Sequence, residues 1–249
     1  MINQNNFGSM SNEYDKARRG YPDEVFEYLK SLVNKDNLVT LDVGCGTGIS
    51  TRQLKAYSFE VIGSDKDEAM IKVAINNSSE IKYVVASTDR LPFGSKNFDV
   101  GTAFTAFHWF NDEESLSEIK RVLKSGGVFF AALKTNRKDE NENFKNGYFS
   151  ILKKYAGDNF DTTKNHFSKE FLIKVGFSDI TEKSFPFDEK YTVEEALTLL
   201  KSLSLWNLVK ENKKSEMLKE MKEFYESHLV NGFVVRSREI ATIVAYKKQ

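Results

Sequence analysis

The sequence predicts an α/β fold, a mostly parallel sheet with helices on both faces. Three observations predict it. Short apolar runs recur through the first half of the chain, each too short for a helix and most ending at a turn signal. Segments with helical spacing lie between them, and strand–helix alternation of this length builds right-handed βαβ units. A turn with glycines at alternate positions, Gly44, Gly46 and Gly48, follows the first run directly, and such a turn brings bare backbone close to a ligand.

In chain order, a first helix is expected over 22–33, with Pro22 near its start and Val25, Phe26, Leu29, Leu32 and Val33 along one face. Strands are expected at 39–43, 60–64, 81–85, 98–104 and 128–133, with helices at 47–57, 67–76 and 113–123. The pattern changes after Leu133. "KTNRKDENENFKNG" reads as an exposed loop, and a helix over 144–155 follows. "SKEFLIKVGFSDITEKSFPF" reads as a helix, a stop at Gly176 and a strand. "TVEEALTLLKSLSLWNLV" reads as one amphipathic helix, with Thr192 and Glu195 in capping-box spacing. A charged helix over 213–229 and a β-branched final strand, "GFVVRSREIATIVAYKK", bring the expected strands to seven.

Composition bounds the function. The 249 residues suit one large domain, and a formal net charge of +0 argues against a generally basic nucleic-acid surface. Cys45 is the only cysteine, so neither an internal disulfide nor a cysteine-rich zinc site is expected, and a reducing cytoplasm is the natural compartment. The N-terminus lacks the apolar core of a secretory signal, and no run approaches the roughly 20 apolar residues of a membrane span.

The glycine turn excludes two ligands. A triphosphate loop needs Lys-Ser/Thr after its last glycine, which is absent here. A dinucleotide fingerprint needs Gly-x-Gly-x-x-Gly, but counting from Gly44 or Gly46 reaches Ile49 or Thr51. Asp65 ends the second strand, 21 residues beyond Gly44, where a carboxylate accepts ribose hydroxyls. Asp42, just before the turn, would repel a pyrophosphate but suits a cofactor with an ammonium group.

With "EYDKARRGYP", "LDVGCGTG", "VIGSD", "VVASTDRLPFGSKNFDV" and "AFTAFHWF" in this order, the chain resembles the class I S-adenosylmethionine-dependent methyltransferases. It is most similar to their small-molecule branch, the trans-aconitate methyltransferase-like or type 11 group. The resemblance is clear from Tyr14 to about Leu133. It implies a Rossmann-like fold with a seven-stranded sheet and a small helical cap, and methyl transfer from S-adenosylmethionine with S-adenosylhomocysteine as product and no metal. It divides a single domain, 1–249, into an arm and helix at 1–33, a cofactor-binding core at 36–135 and a helical cap at 191–230.

The same resemblance implies the site. Gly44, Gly46 and Gly48 face the methionine portion, Asp42 its amino group, and Asp65 the ribose. Lys66 and Asp67 flank the adenine. Ser87 replaces the family's usual aspartate at the adenine amino group, and Thr88 beside it offers its backbone. Arg19 replaces the family's proline in the N-terminal motif, in which Tyr14 and Arg18 lie near the sulfonium or carboxylate end and Tyr21 reaches the substrate. The stretch Phe104–Phe110 borders the transferred methyl through Phe104 and Thr105, with His108 as candidate base and Trp109 as pocket wall. Both are also substrate candidates.

Competing readings stand beside these. His108 is as well explained by orienting Trp109. Trp206 is a substrate candidate, though helix core explains it better. Arg236 and Arg238 share one strand face and read as solvated, and His166 and His228 read as surface residues. The expected partner is a small molecule, with a carboxylate acceptor suggested by the branch. Nucleic acid is disfavoured because no Pro-Pro motif is present, and the oligomeric state is open between monomer and homodimer. An RNA methyltransferase and a non-catalytic cofactor-binding regulator are the alternatives.

Overall fold

The computed structural model describes residues 15, 18–33, 38–157 and 169–248. Tyr14 and His166 lie outside the described residues. The helices are α1 (Asp23–Leu32), α2 (Ile49–Ala56), α3 (Glu68–Asn77), α4 (Glu113–Val122), α5 (Glu142–Ala156), α6 (Lys169–Lys174), α7 (Val193–Lys201) and α8 (Glu211–Ser227). The strands are β1 (Val39–Val43), β2 (Glu60–Asp65), β3 (Lys82–Val85), β4 (Phe98–Phe104), β5 (Leu123–Asn136), β6 (Phe177–Tyr191) and β7 (Val234–Lys247). They form one seven-stranded sheet in the order β3-β2-β1-β4-β5-β7-β6. β3, β2, β1, β4 and β5 are parallel neighbours, and β7 runs antiparallel between β5 and β6.

Two apolar layers hold helices to the sheet. On one face Leu116, Ile119 and Val122 of α4 and Leu172 of α6 pack on Leu41, Ala103 and Phe129. On the other, Val25, Phe26 and Leu29 of α1 and Leu54 of α2 pack on Val61, Val100 and Phe130. α5, α7 and α8 share a third core, built on Tyr148, Leu200, Met217, Met221 and Tyr225. Burying a Leu- or Phe-sized side chain contributes about 1.5–3 kcal/mol, so each layer is strongly held.

Most strand and helix bounds match the expected periodicity within two residues, and three segments differ. β5 extends beyond 128–133 because Leu123 pairs with Phe98 across a bulge and Asn136 pairs with Arg238 of β7. The start of the expected loop after Leu133 is therefore strand, and Glu140 within it is buried. The amphipathic helix starting after Thr192 stops at Lys201. Ser202 turns its hydroxyl onto the Leu199 carbonyl at 2.7 Å, and a short 3-10 turn, Ser204–Leu208, follows. The Thr192–Glu195 capping box is present, with reciprocal bonds of 2.8 and 3.2 Å. His228 is half-buried, its ring against Phe224 at a centroid separation of 4.3 Å.

Candidate active site

β1 delivers the chain into the glycine turn at the carboxyl end of the parallel strands, where ligands of such sheets bind. Gly44, Gly46 and Gly48 all have positive φ, at 64°, 54° and 81°. They answer to different neighbours. A Cβ at Gly44 would lie 2.6 Å from the Ala106 methyl, and one at Gly48 would lie 2.6 Å from the Tyr83 hydroxyl. A Cβ at Gly46 would meet no protein atom within 4 Å, so the space it opens belongs to whatever fills the cavity.

Asp42 turns inward, and here the structure departs from the expectation that it meets the cofactor's amino group. Ser50 and Thr51 of α2 donate to one carboxylate oxygen at 2.9 and 2.7 Å, and Thr102 donates to the other at 2.8 Å. Thr102 reaches it because β1 and β4 pair Asp42 with Thr102 in register. The carboxylate is fully buried and off the cavity wall. Burial, opposed by these three hydroxyls, pushes its pKa up to about 6. Asp42 thus clamps the start of α2 to the sheet beneath the turn.

Asp65 faces the cavity. It accepts the Gly46 and Asp67 backbone N–H groups, both at 2.9 Å, so the turn and the β2 end are fixed to each other. Burial raises its pKa against these donors. Asp67 caps α3 by accepting from Ala69 and Met70.

One cavity of about 670 Å³ lies over these elements, within the usual range for small-ligand sites of roughly 300–1,000 Å³. Gly44, Gly46, Asp65, Lys66, Ser87 and Thr88 line it. Phe104, Thr105 and Trp109 also line it, with Trp109 half-exposed. Arg18, Arg19, Tyr21 and Lys134 also border the space. Gly48 and His108 are not on its wall. The His108 ring sits 4.9 Å from the Trp109 ring, its Nδ1 is buried without a hydrogen-bond partner among the described residues, and burial lowers its pKa. That placement sets the imidazole against the Trp109 ring. Trp206 is packed in the α5/α7/α8 core and does not border the cavity.

The 18–21 segment is pinned over the cavity. Gln53 receives the Tyr21 N–H at 2.9 Å and donates to the Tyr21 carbonyl at 2.8 Å. The Tyr21 and Thr105 hydroxyls share a 2.8 Å hydrogen bond. Thr105 has φ 52°, an outlying conformation for a β-branched residue, and its N–H donates to the Ala132 carbonyl at 2.6 Å. Arg19 pairs with Glu195 of α7 at 3.2 Å and lies 4.8 Å over the Tyr191 ring.

Lys134 is a cavity residue that sequence reasoning missed. Its Nζ donates to Glu189 at 2.7 Å and to the Arg19 and Gly20 carbonyls at 3.2 and 3.3 Å. Burial lowers its pKa, with Glu189 opposing. The Arg236–Arg238 alternation is the available signal, but alternation alone points to a solvated face. Arg236 is buried against Glu140 at 3.1 Å, and the Arg238 side chain is only 16% exposed, 3.4 Å from Glu189. These arginines escape water because α5 and α8 cover their face, with Arg236 4.2 Å over the Tyr148 ring.

The arrangement suits a nucleoside cofactor carrying an amino-acid tail. The Gly46 opening admits close approach, Asp65 offers carboxylate lone pairs, and the turn presents no lysine for phosphates. Among the described residues, no group of three or more His, Cys, Asp or Glu side chains is placed to hold a metal ion, and no helix is long and apolar enough to cross a membrane.

Residues 41–131 match the methyltransferase domain family model. An uncharacterized methyltransferase of Schizosaccharomyces pombe is 28% identical over 220 residues, covering 86% of this chain and 85% of that protein. A provisionally named type II methyltransferase of Anaeromyxobacter dehalogenans superposes with a TM-score of 0.70 at 20% identity, over 93% of this chain and 97% of the other. Phosphoethanolamine N-methyltransferase 2 of Haemonchus contortus, solved with S-adenosyl-L-methionine, superposes at 0.56 and 19% identity, over 97% of this chain and 57% of the other.

Proposed function

We propose that this chain, which belongs to the class I S-adenosylmethionine-dependent methyltransferases, methylates a small-molecule acceptor in the cytoplasm. S-adenosylmethionine supplies, when bound, an electrophilic methyl group on a sulfonium. The residues that would hold it are Gly44 and Gly46 at its amino-acid portion, Asp65 at its ribose, and Lys66, Ser87 and Thr88 at its base. The observation that carries the small-molecule reading is the size of the cavity. A space of about 670 Å³, bordered by Arg18, Arg19 and the pinned Tyr21, has room for one cofactor and a modest acceptor.

The protein's own work is alignment and exclusion of water. Thr105 and Tyr21, both on the cavity wall, are held to each other by their shared hydrogen bond. The Trp109 ring, backed by His108, walls the acceptor's approach. A carboxylate acceptor is ionised at neutral pH and requires no base, which agrees with an imidazole held off the cavity wall. The lone thiol, Cys45, is buried and its pKa is pushed up by burial, which supports packing as its role.

The test is transfer of label from methyl-labelled S-adenosylmethionine to two extracts of the source cells, small molecules and total RNA. Label in the small-molecule fraction is expected. Label in RNA alone overturns the small-molecule reading, and tight cofactor binding without transfer to either marks a regulator. In parallel, Asp65→Ala is expected to weaken S-adenosylhomocysteine binding at least tenfold by calorimetry. Unchanged affinity would remove the ribose assignment.

A further inference from the structure

At their cavity ends, β5, β7 and β6 form a charged floor. Register pairs Asn136 with Arg238, Phe187 with Arg238, and Glu189 with Arg236. Directly paired and alternate residues share a face, so Lys134, Arg236, Arg238 and Glu189 lie on one side of the sheet. α5 and α8 cover that side through Tyr148 and Tyr225, which feel these charges from above. Glu140, just before α5, also faces it, bonded to Arg236.

The charges on this floor do not balance. Among the described residues, Lys134, Arg236 and Arg238 are three cations paired with two carboxylates, Glu140 and Glu189, and Arg18 adds a further positive charge felt by Lys134. Arg236, Glu140 and Glu189 are 3–4% exposed, and the side chains of Lys134 and Arg238 are 17% and 16% exposed. An uncompensated charge removed from water is costly, and a ligand anion is the ordinary way to relieve it. Only one of the three cations, Lys134, reaches the cavity wall. Its contacts with the Arg19 and Gly20 carbonyls, at 3.2 and 3.3 Å, are long enough to yield to a charged acceptor oxygen.

We propose that the part of the cavity bordered by Lys134 is a subsite for an anionic group on the methyl acceptor, a carboxylate or a phosphate, read by the Lys134 ammonium in competition with the Glu189 carboxylate. The proposal rests on the methyltransferase reading and deepens it. It concerns a group that fixes the acceptor in place, which need not be the group that receives the methyl. Arg236 and Glu140 extend the floor away from the cavity and set its charge without touching the ligand.

The test is calorimetric titration of the full chain saturated with S-adenosylhomocysteine. Malonate and inorganic phosphate are the charged probes, and malonamide is the neutral one. Saturable binding of one anion is expected, the responding anion naming the chemistry, with no binding of malonamide. Lys134→Met is expected to weaken that binding at least tenfold and to leave S-adenosylhomocysteine affinity within twofold. Glu189→Gln removes a competing carboxylate and is expected to tighten anion binding at least threefold, a change that a merely structural Glu189 would not produce. If Lys134→Met fails to fold because Glu189 is stranded, the double variant Lys134→Met with Glu189→Gln removes both charges and carries the same expectation of lost binding. Absence of binding by both anions, or equal binding by wild type and the Lys134 variants, overturns the subsite. Wild-type protein that binds no S-adenosylhomocysteine would instead overturn the methyltransferase reading on which the subsite rests.

Discussion

Asp42 shows what one buried carboxylate does to the protein's response to pH. Its pKa is raised from 3.8 to about 6 on folding, so between those values the folded state binds more protons than the unfolded one. Stability from this group is therefore present below pH 3.8 and is lost as pH rises through 6. The expected loss between pH 5 and pH 7 is about 1 kcal/mol, which Asp42→Asn should remove. Urea unfolding of both proteins at the two pH values reads it, and an equal pH dependence would show that Asp42 does not titrate in this range. The sequence placed a carboxylate before the turn, and charge logic aimed it at a ligand ammonium group. Its inward direction depends on Ser50, Thr51 and Thr102 arriving together, and Thr102 arrives only through strand pairing. The same limit hid Lys134, whose importance comes from Glu189, 55 residues away.

At the scale of the β1–α2 turn, two glycines separate folding from binding. Alanine at either position adopts positive φ at a cost of about 1–2 kcal/mol. At Gly48 the new methyl also meets the Tyr83 hydroxyl, which is held by Ser78 at 2.8 Å, so the fold suffers further. At Gly46 the methyl enters the cavity. Gly48→Ala is expected to lose more stability in urea, and Gly46→Ala to lose more S-adenosylhomocysteine affinity, at least tenfold by calorimetry. Equal affinity of Gly46→Ala and wild type would show that no ligand approaches that backbone. Periodicity exposed the regular elements well because burial of one or both faces writes itself into apolar spacing. It failed over 192–209, where Leu and Trp recur at helical intervals but the Ser202 side chain bonds the Leu199 carbonyl where the helix ends after Lys201. It also failed at 236–238, where a strand covered by helices keeps its arginines from water.

For the molecule as a whole, the three apolar cores are not equivalent. Two are clamped between helices and the sheet, and the third joins α5, α7 and α8 to one another over the charged floor. A layer seated on buried charges opens more readily than one seated on packed Phe and Val. Amides of α7 and α8 are expected to exchange hydrogen together and faster than those of β1 and β4, and to slow when S-adenosylhomocysteine and a subsite anion bind. Mass-spectrometric exchange checks this, and equal protection of α8 and β4 would contradict it. The strand order carries a different consequence, for biosynthesis. β7 sits inside the sheet, between β5 and β6, yet both its neighbours are translated before it. Residues 137–247 follow β5, so at about 5–20 residues per second the edge of β5 waits roughly 6–22 seconds for its partner. That edge is Val128-Phe129-Phe130-Ala131-Ala132-Leu133, an uncharged apolar strand of the kind that seeds intermolecular pairing. The nascent chain is therefore most dependent on chaperones in the interval just before Val234–Lys247 emerge.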